Sequence, residues 1–494
     1  MPPFTARRAG VLLHPTSLPG SAYGGDFGAE ARRFVDFLAA AGLSIWQMLP
    51  LGPTHDDGCP YQSSSVHAGN PDLINLDWLV ERDLLEPAQA AAGRLDPQAK
   101  RTALDQAAVV FFEQLFNATQ SELTRAYSDF TTESAFWLED YVRFQGFRDA
   151  AGRQPWSTWE AGLRNCEPEA CARRAMELAD QLSKLRFRQF IFHRQWLELK
   201  QYANERGVLL FGDMPIYVHL ESADVWAHQK QFDLDDNGQP LTVTGVPPDY
   251  FSAEGQLWGN PQYNWQYMLA HHFDWWLKRF TSAARMFDIV RIDHFRALEA
   301  YWEIPAGATS AIGGRWVHSP GRELLGLVRE HCPRLRLVAE NLGIISPEVE
   351  ALREQFQLPG MLILQFAFDG NPENPYLLHR HEENDVVYTG THDNDTSLGW
   401  FQSLDEATRE HVCRYFECQP DDMPWAMIDR AMASPAATAI VPWQDLLGLD
   451  GRHRMNTPGT TEGNWHWRFQ WQQVPEDLAP RTRQLLSDYN RLTG

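Results

Sequence analysis

"FDIVRIDHFRAL", residues 287–298, decides how the rest of the chain is read. Phe287, Ile289, Val290 and Ile292 are strand formers, yet Arg291 and Asp293 stand among them, two positions apart. A strand alternates its faces residue by residue, so the two charges share one side, about 6–7 Å apart along the chain. Sealing a charge inside a protein costs several kcal/mol unless it is paired or used. The stretch therefore predicts a buried strand that delivers Asp293 to somewhere useful.

Working outward, seven more short apolar runs are bounded by turn signals: "VLLH" (11–14), "SIWQML" (44–49), "VLLFGD" (208–213), "LRLVAE" (335–340), "MLILQF" (361–366), "VVYTGTHD" (386–393) and "TAIVPW" (438–443). Most are separated by amphipathic helical patterns, such as 28–43, 271–287 and 346–356, the last with Ser346 as N-cap and Pro347 at the first helical position. Strands alternating with helices pair in parallel, and eight such units predict a single catalytic (β/α)8 TIM barrel over 1–494. The alternative, an open doubly wound sheet, lacks a dinucleotide fingerprint, a Walker loop or a G-x-S-x-G elbow. Two connections exceed plain barrel loops. Residues 51–207 read as a mainly helical insertion subdomain, with helical patterns at 106–123 and 181–207. Residues 214–288 read as a loop-rich insertion over the barrel mouth. Four runs end in an acid: Asp213, Asp293, Glu340 and Asp393. Barrel chemistry sits at the C-terminal strand ends, so these four converge on one cleft.

Composition narrows the partners. The net charge of −22 over 494 residues disfavours nucleic acid. No run approaches the roughly 18 apolar residues of a membrane span, and Pro15 and Pro19 interrupt any signal-peptide core. Six scattered cysteines with no C-x-x-C pair fit a reducing cytoplasm. Nineteen tryptophans suit the apolar faces of sugar rings as well as a core.

Clustered carboxylates bind a hard cation or act as acid and base. Arg291 beside Asp293 argues against a cation and is expected to keep Asp293 ionised. Glu340 follows the apolar "LRLVA", where desolvation is expected to raise its pKa. One carboxyl held charged and another held protonated is what retaining glycoside chemistry requires. His294 and His392 flank two of the acids as candidate hydrogen-bond donors to sugar hydroxyls. "DLDDNG" (233–238) imitates the opening of an EF-hand loop, but Thr244 stands where its twelfth-position Glu belongs. It reads instead as a β-hairpin turning at Asp236–Gly238, and no metal or other cofactor is expected.

The chain resembles the 4-α-glucanotransferases called amylomaltase or disproportionating enzyme, glycoside hydrolase family 77 of the α-amylase clan. The resemblance rests on "HPTSLPG" (14–20), "PYQSSSVHAGNPDLI" (60–74), "GDMPIYV" (212–218), "GVPPDYFSAEGQLWGNPQYNW" (245–265), "VRIDHFRAL" (290–298), "VAENLG" (338–343), "TGTHDND" (389–395) and "RMNTPGT" (454–460), in the family's order. It implies Asp293 as nucleophile, Glu340 as general acid/base and Asp393 as transition-state stabiliser. It further implies Arg291 and His392 around the reacting sugar, Asp213 as the clan's acid at the third strand, and Tyr61 as the sugar's stacking platform; His294 and Asn341 are expected to bind substrate as well. Asp249, Tyr250, Phe251 and Trp258 would line the acceptor side, and Asn456 would contact sugar. Cys59 departs from the Ser that many relatives carry before "PYQS". The resemblance implies a retaining enzyme that moves α-1,4-glucan segments between maltooligosaccharides derived from starch or glycogen. The alternatives are a hydrolase of the same clan and a non-catalytic carbohydrate binder. Retention of all three acids speaks against the binder.

Overall fold

In a computed structural model, residues 6–117, 121–248 and 253–493 are described. Eight strands carry the fold: β1 (Arg8–Leu12), β2 (Ile45–Gln47), β3 (Leu209–Met214), β4 (Ile289–Ile292), β5 (Arg336–Ala339), β6 (Gly360–Ile363), β7 (Asp385–Tyr388) and β8 (Thr438–Pro442). Each lies parallel to its sequence neighbour from β1 to β5 and from β6 to β8, and β8 pairs with β1. The remaining seam, between β5 and β6, is closed where the Ala339 N–H donates to the Pro359 carbonyl at 2.9 Å. The result is a (β/α)8 barrel.

Period-two alternation sorts every strand. Leu12, Ile45, Phe211, Ile289, Val338, Met361, Val386 and Ile440 point inward and form one apolar cluster inside the barrel. Their neighbours Val11, Trp46, Leu210, Val290, Leu337, Leu362, Val387 and Val441 point outward into the larger core shared with the helices. One step toward the C-terminal end, the inward positions of β2 to β5 turn polar, whereas β6 keeps Ile363. Ile289 is followed by Arg291 and Asp293, Phe211 by Asp213, Val338 by Glu340, and Ile45 by Gln47, which accepts a 2.9 Å hydrogen bond from the Tyr388 hydroxyl. The barrel is thus dry at one end and charged at the other. That gradient accommodates the two charges of "IVRID" in an otherwise apolar strand.

Helices Ala29–Ala41, Ala179–Glu205, Asp274–Met286, Gly321–His331 and Pro347–Gln355 follow β1 to β5, and Leu478–Asp488 follows β8. Pro347 opens its helix as predicted. Only 3₁₀ turns, Leu364–Ala367 and Leu378–Arg380, separate β6 from β7, so that unit lacks its α-helix among the described residues. Within 51–207 the described residues are largely helical. The 27-residue helix Ala179–Glu205 is itself the barrel helix preceding β3. Segment 214–288 holds more regular structure than its Gly/Pro content suggests. Strands Thr242–Val246 and Gln256–Pro261 join Ala300–Pro305 and Arg315–His318, from beyond the segment, in a four-stranded antiparallel sheet. No helix of the described residues is long and apolar enough to cross a membrane.

Candidate active site

The register of β3, β4 and β5 builds the site. Asp213 pairs with Arg291 across β3 and β4, and Ile292 pairs with Ala339 across β4 and β5. Asp293 and Glu340 each follow that last pair directly, on strands about 4.8 Å apart. The Glu340 N–H donates to the Ile292 carbonyl at 3.0 Å and the Asp293 N–H to the Met214 carbonyl at 3.1 Å, which extends the pairing past the strand ends.

Arg291 is the electrostatic hub. Its Nη1 donates to both oxygens of Asp213, at 2.8 and 2.6 Å, and its Nη2 lies 2.8 Å from Asp293 Oδ1. The Tyr61 hydroxyl donates to Asp213 Oδ2 at 2.7 Å. The Tyr61 ring stacks on His392 with centroids 5.2 Å apart and planes 15° from parallel. One residue from β3 thereby fixes a platform that reaches the loop after β7.

Glu340 is buried and held by two backbone donors, His294 N–H at 2.6 Å on Oε2 and Leu342 N–H at 3.0 Å on Oε1. The first exists because His294 adopts φ +48°, a left-handed conformation unusual outside glycine and costing about 1–3 kcal/mol. The His294 ring meets Trp258 edge to face at 4.8 Å, and burial followed by repulsion from Arg296 and Arg291 lowers its pKa to about 3, so it is neutral. Asp393 is open to the cleft. His392 Nε2 approaches its Oδ2 at 3.3 Å and Asn456 Nδ2 donates to its Oδ1 at 2.6 Å.

These contacts set the proton inventory. Burial, helped by Asp213, Glu340 and Asp393, pushes Asp293 up to about 7 against the pull of Arg291. Burial likewise raises Glu340, against Arg291 and its two backbone donors. Asp393 runs the other way. The protein walls of the cleft would by themselves raise it, but His392, Asn456 and Arg291 together hold it well below the usual carboxylate range. The expectation that Arg291 keeps Asp293 fully ionised is thus corrected. One guanidinium, already bidentate to Asp213, is divided among several carboxyls and does not offset desolvation. Asp293 and Glu340 retain a proton between them into the neutral range.

Other expected site residues are placed less directly. Asn341 does not turn toward the acids. Its Nδ2 donates to Glu350 Oε1 and its Oδ1 accepts from the Met361 N–H, both at 2.8 Å, so it ties β5 to β6. Trp258 is half-buried beside His294. Asp249, Tyr250 and Phe251 lie outside the described residues. In "DLDDNG", Asp235 Oδ1 accepts the N–H groups of Asn237 and Gln239, both at 2.8 Å, and a bridge joins Leu234 to Pro240. That acid closes a tight turn of its own, as the hairpin reading requires.

Two supports escaped the sequence reading. Arg454 donates to the Asp393 carbonyl at 3.0 Å and to the Asn456 carbonyl at 3.1 Å, clamping the two loops together. Asp445, fully buried, accepts from Thr389 Oγ1 at 2.6 Å, Ser397 Oγ at 2.5 Å and Ser397 N–H at 2.7 Å, anchoring both ends of the segment that carries His392 and Asp393. An Asp three residues past the end of β8 was the available signal for the second.

Comparison with known proteins agrees with this geometry. A family model described as 4-alpha-glucanotransferase matches residues 13–473. The 4-alpha-glucanotransferase of Thermus thermophilus is 45% identical over 488 residues, covering 96% of each chain. That of Synechocystis sp. is 43% identical, covering 98% of each. The structure of an amylomaltase from Streptococcus agalactiae in complex with acarbose superposes with a TM-score of 0.93 at 36% identity, over 99% of this chain and 100% of that one. A barrel whose charged end gathers these acids, matched along nearly its whole length, belongs to the 4-alpha-glucanotransferase family.

Proposed function

We propose that the family's transfer of α-1,4-glucan segments runs here by a retaining double displacement, with Asp293 as nucleophile. Adjacent strands at the Ile292–Ala339 register carry Asp293 and Glu340, and that juxtaposition carries the reading. It suits the close carboxyl pair of retaining enzymes, about 5 Å apart, and leaves little room for the interposed water of inverting ones.

In the productive state Asp293 is ionised beside Arg291 and Glu340 holds the shared proton. Glu340 has one lone pair free on each oxygen after its two backbone bonds. It protonates the departing glycosidic oxygen while Asp293 attacks the anomeric carbon. The leaving glucan departs and a β-linked glycosyl-enzyme remains. Glu340, now a base, takes the proton of an acceptor 4-hydroxyl, which attacks the same carbon and frees Asp293. Asp393 keeps its negative charge throughout. Oriented by Asn456 and His392, it stabilises the oxocarbenium-like transition state through hydroxyls of the reacting sugar. Tyr61 offers its ring to that sugar, since its hydroxyl is engaged with Asp213. Asn341 acts by tying β5 to β6 beneath Glu340, and Asp249, Tyr250, Phe251 and Trp258 serve the acceptor side.

The substrates are maltooligosaccharides derived from starch or glycogen, and six free thiols suit work in the cytoplasm. Outside the barrel helices Ala179–Glu205 and Asp274–Met286, segments 51–207 and 214–288 form insertions around one catalytic barrel, screening the intermediate from water so that an acceptor sugar competes. Incubation with maltotriose tests this. Glucose and a ladder of longer maltooligosaccharides should form while reducing ends stay nearly constant, because each transfer breaks one α-1,4 bond and makes another. Reducing ends that climb in step with maltotriose loss, with no product longer than the substrate, would establish hydrolysis instead.

A further inference from the structure

Between the end of β1 and the loop after β7 lies a cavity of about 20 Å³, lined by His14, Ser17, His392, Asn394, Asp395 and Trp467 among others. That is room for one water. His14 is only 8% exposed, and its Nδ1 has no hydrogen-bond partner. Burial, followed by repulsion from His392, lowers His14 to about 3, so its ring is neutral and offers one donor and one acceptor nitrogen. Ser17 does not serve it, since that hydroxyl faces the sulfur of Met455 at 3.8 Å.

Across the cavity stands a ring with the complementary need. His392 must donate from Nε2 to hold Asp393 Oδ2 at 3.3 Å. A hydrogen bond to Nδ1, on the other side of the ring, fixes how the ring is turned and so where Nε2 points. Among the described residues, Asp393 is the one polar contact of the His392 ring. We propose that His14 is a positioning residue: it holds a single water in this cavity, hydrogen-bonded between its own Nδ1 and Nδ1 of His392, and so fixes the His392 ring with Nε2 aimed at Asp393. The inference rests on the role given to His392 and Asp393 in the proposed function. It adds a polar link from the first barrel strand to the seventh.

The test is a double-mutant cycle on maltotriose transfer with His14→Phe and His392→Asn. His14→Phe should lower kcat by about 10- to 100-fold, the range typical of residues that orient an active-site imidazole, with KM little changed. His14→Gln, which can still hold the water, should recover part of the loss. In the His392→Asn background, His14→Phe should cost nothing further. Losses that multiply would overturn the inference while leaving the role of His392 intact. A fully active His392→Asn would instead remove the His392 reading and the inference with it. Should His14→Phe fail to fold, a high-resolution crystal structure of the wild-type protein decides. An ordered water bonded to both rings supports the link, whereas no water there overturns it.

Discussion

Asp293→Asn should abolish transfer and yet make the protein more stable, by an amount that grows with pH. The folded protein raises the Asp293 pKa from 3.8 to about 7, so the folded state binds this proton more tightly than the unfolded state does. Stability contributed by the group is therefore complete below about pH 4, is lost as pH rises, and levels off above about pH 7. At 1.36 kcal/mol for each pKa unit, the ionised carboxylate costs the fold at most about 4 kcal/mol. Coupling to Glu340 and relaxation of the cleft reduce this. Asn occupies the same volume without the charge, and Arg291 keeps its bidentate partner Asp213. The variant's advantage should be about 1 kcal/mol near pH 5 and about 2 kcal/mol larger near pH 8. Urea unfolding of both proteins at the two pH values measures it. An advantage equal at both, or a variant less stable than the parent near pH 8, would refute the claim that Asp293 is held ionised at a cost to the fold.

Two further outcomes follow from the same site. Glu340→Gln should lose at least a thousandfold in kcat, and azide should partly restore turnover of an activated glucosyl donor as a glucosyl azide, because azide needs no general base; an unimpaired variant would remove Glu340 from the mechanism. EDTA should leave transfer unchanged, since Asp235 is spent on its own turn and Arg291 occupies the centre of the acid cluster; activity lost to chelation and restored by calcium would contradict this.

The barrel was legible because its evidence is periodic. All eight strand runs overlap barrel strands, although "VLLH" (11–14) shares only its first two residues with Arg8–Leu12, since an interior strand must be apolar on both faces and a short run of that kind between turn residues has few other uses. The four-stranded sheet at 242–318 was not legible, and the reason is visible in its residues. Strand Gln256–Pro261 is largely exposed and Arg315–His318 carries exposed Arg315 and Trp316, so no buried face imposes alternation. Its strands also pair across the whole of β4, and no local pattern announces a partner 57 to 63 residues away.

The acids were legible for the same reason that their protonation was not. An Asp or Glu ending a buried strand is a local fact, and four of them converge whatever their neighbours do. How a proton divides among them depends on how many carboxyls one cation serves, and sequence spacing pairs Arg291 with Asp293 alone. Folding adds Asp213, 78 residues away, as the partner that takes both bonds of Nη1. What remains of the guanidinium for Asp293 is one contact, which moderates but does not reverse the effect of burial. Asp393 shows the converse. It gains His392 locally and Asn456 from 63 residues on, and with two donors and an open face it stays charged. The division of labour among three chemically similar carboxyls is thus made by long-range contacts. Arg291, Asn456, Arg454 and Asp445 are where a change can alter the chemistry without touching an acid that performs it.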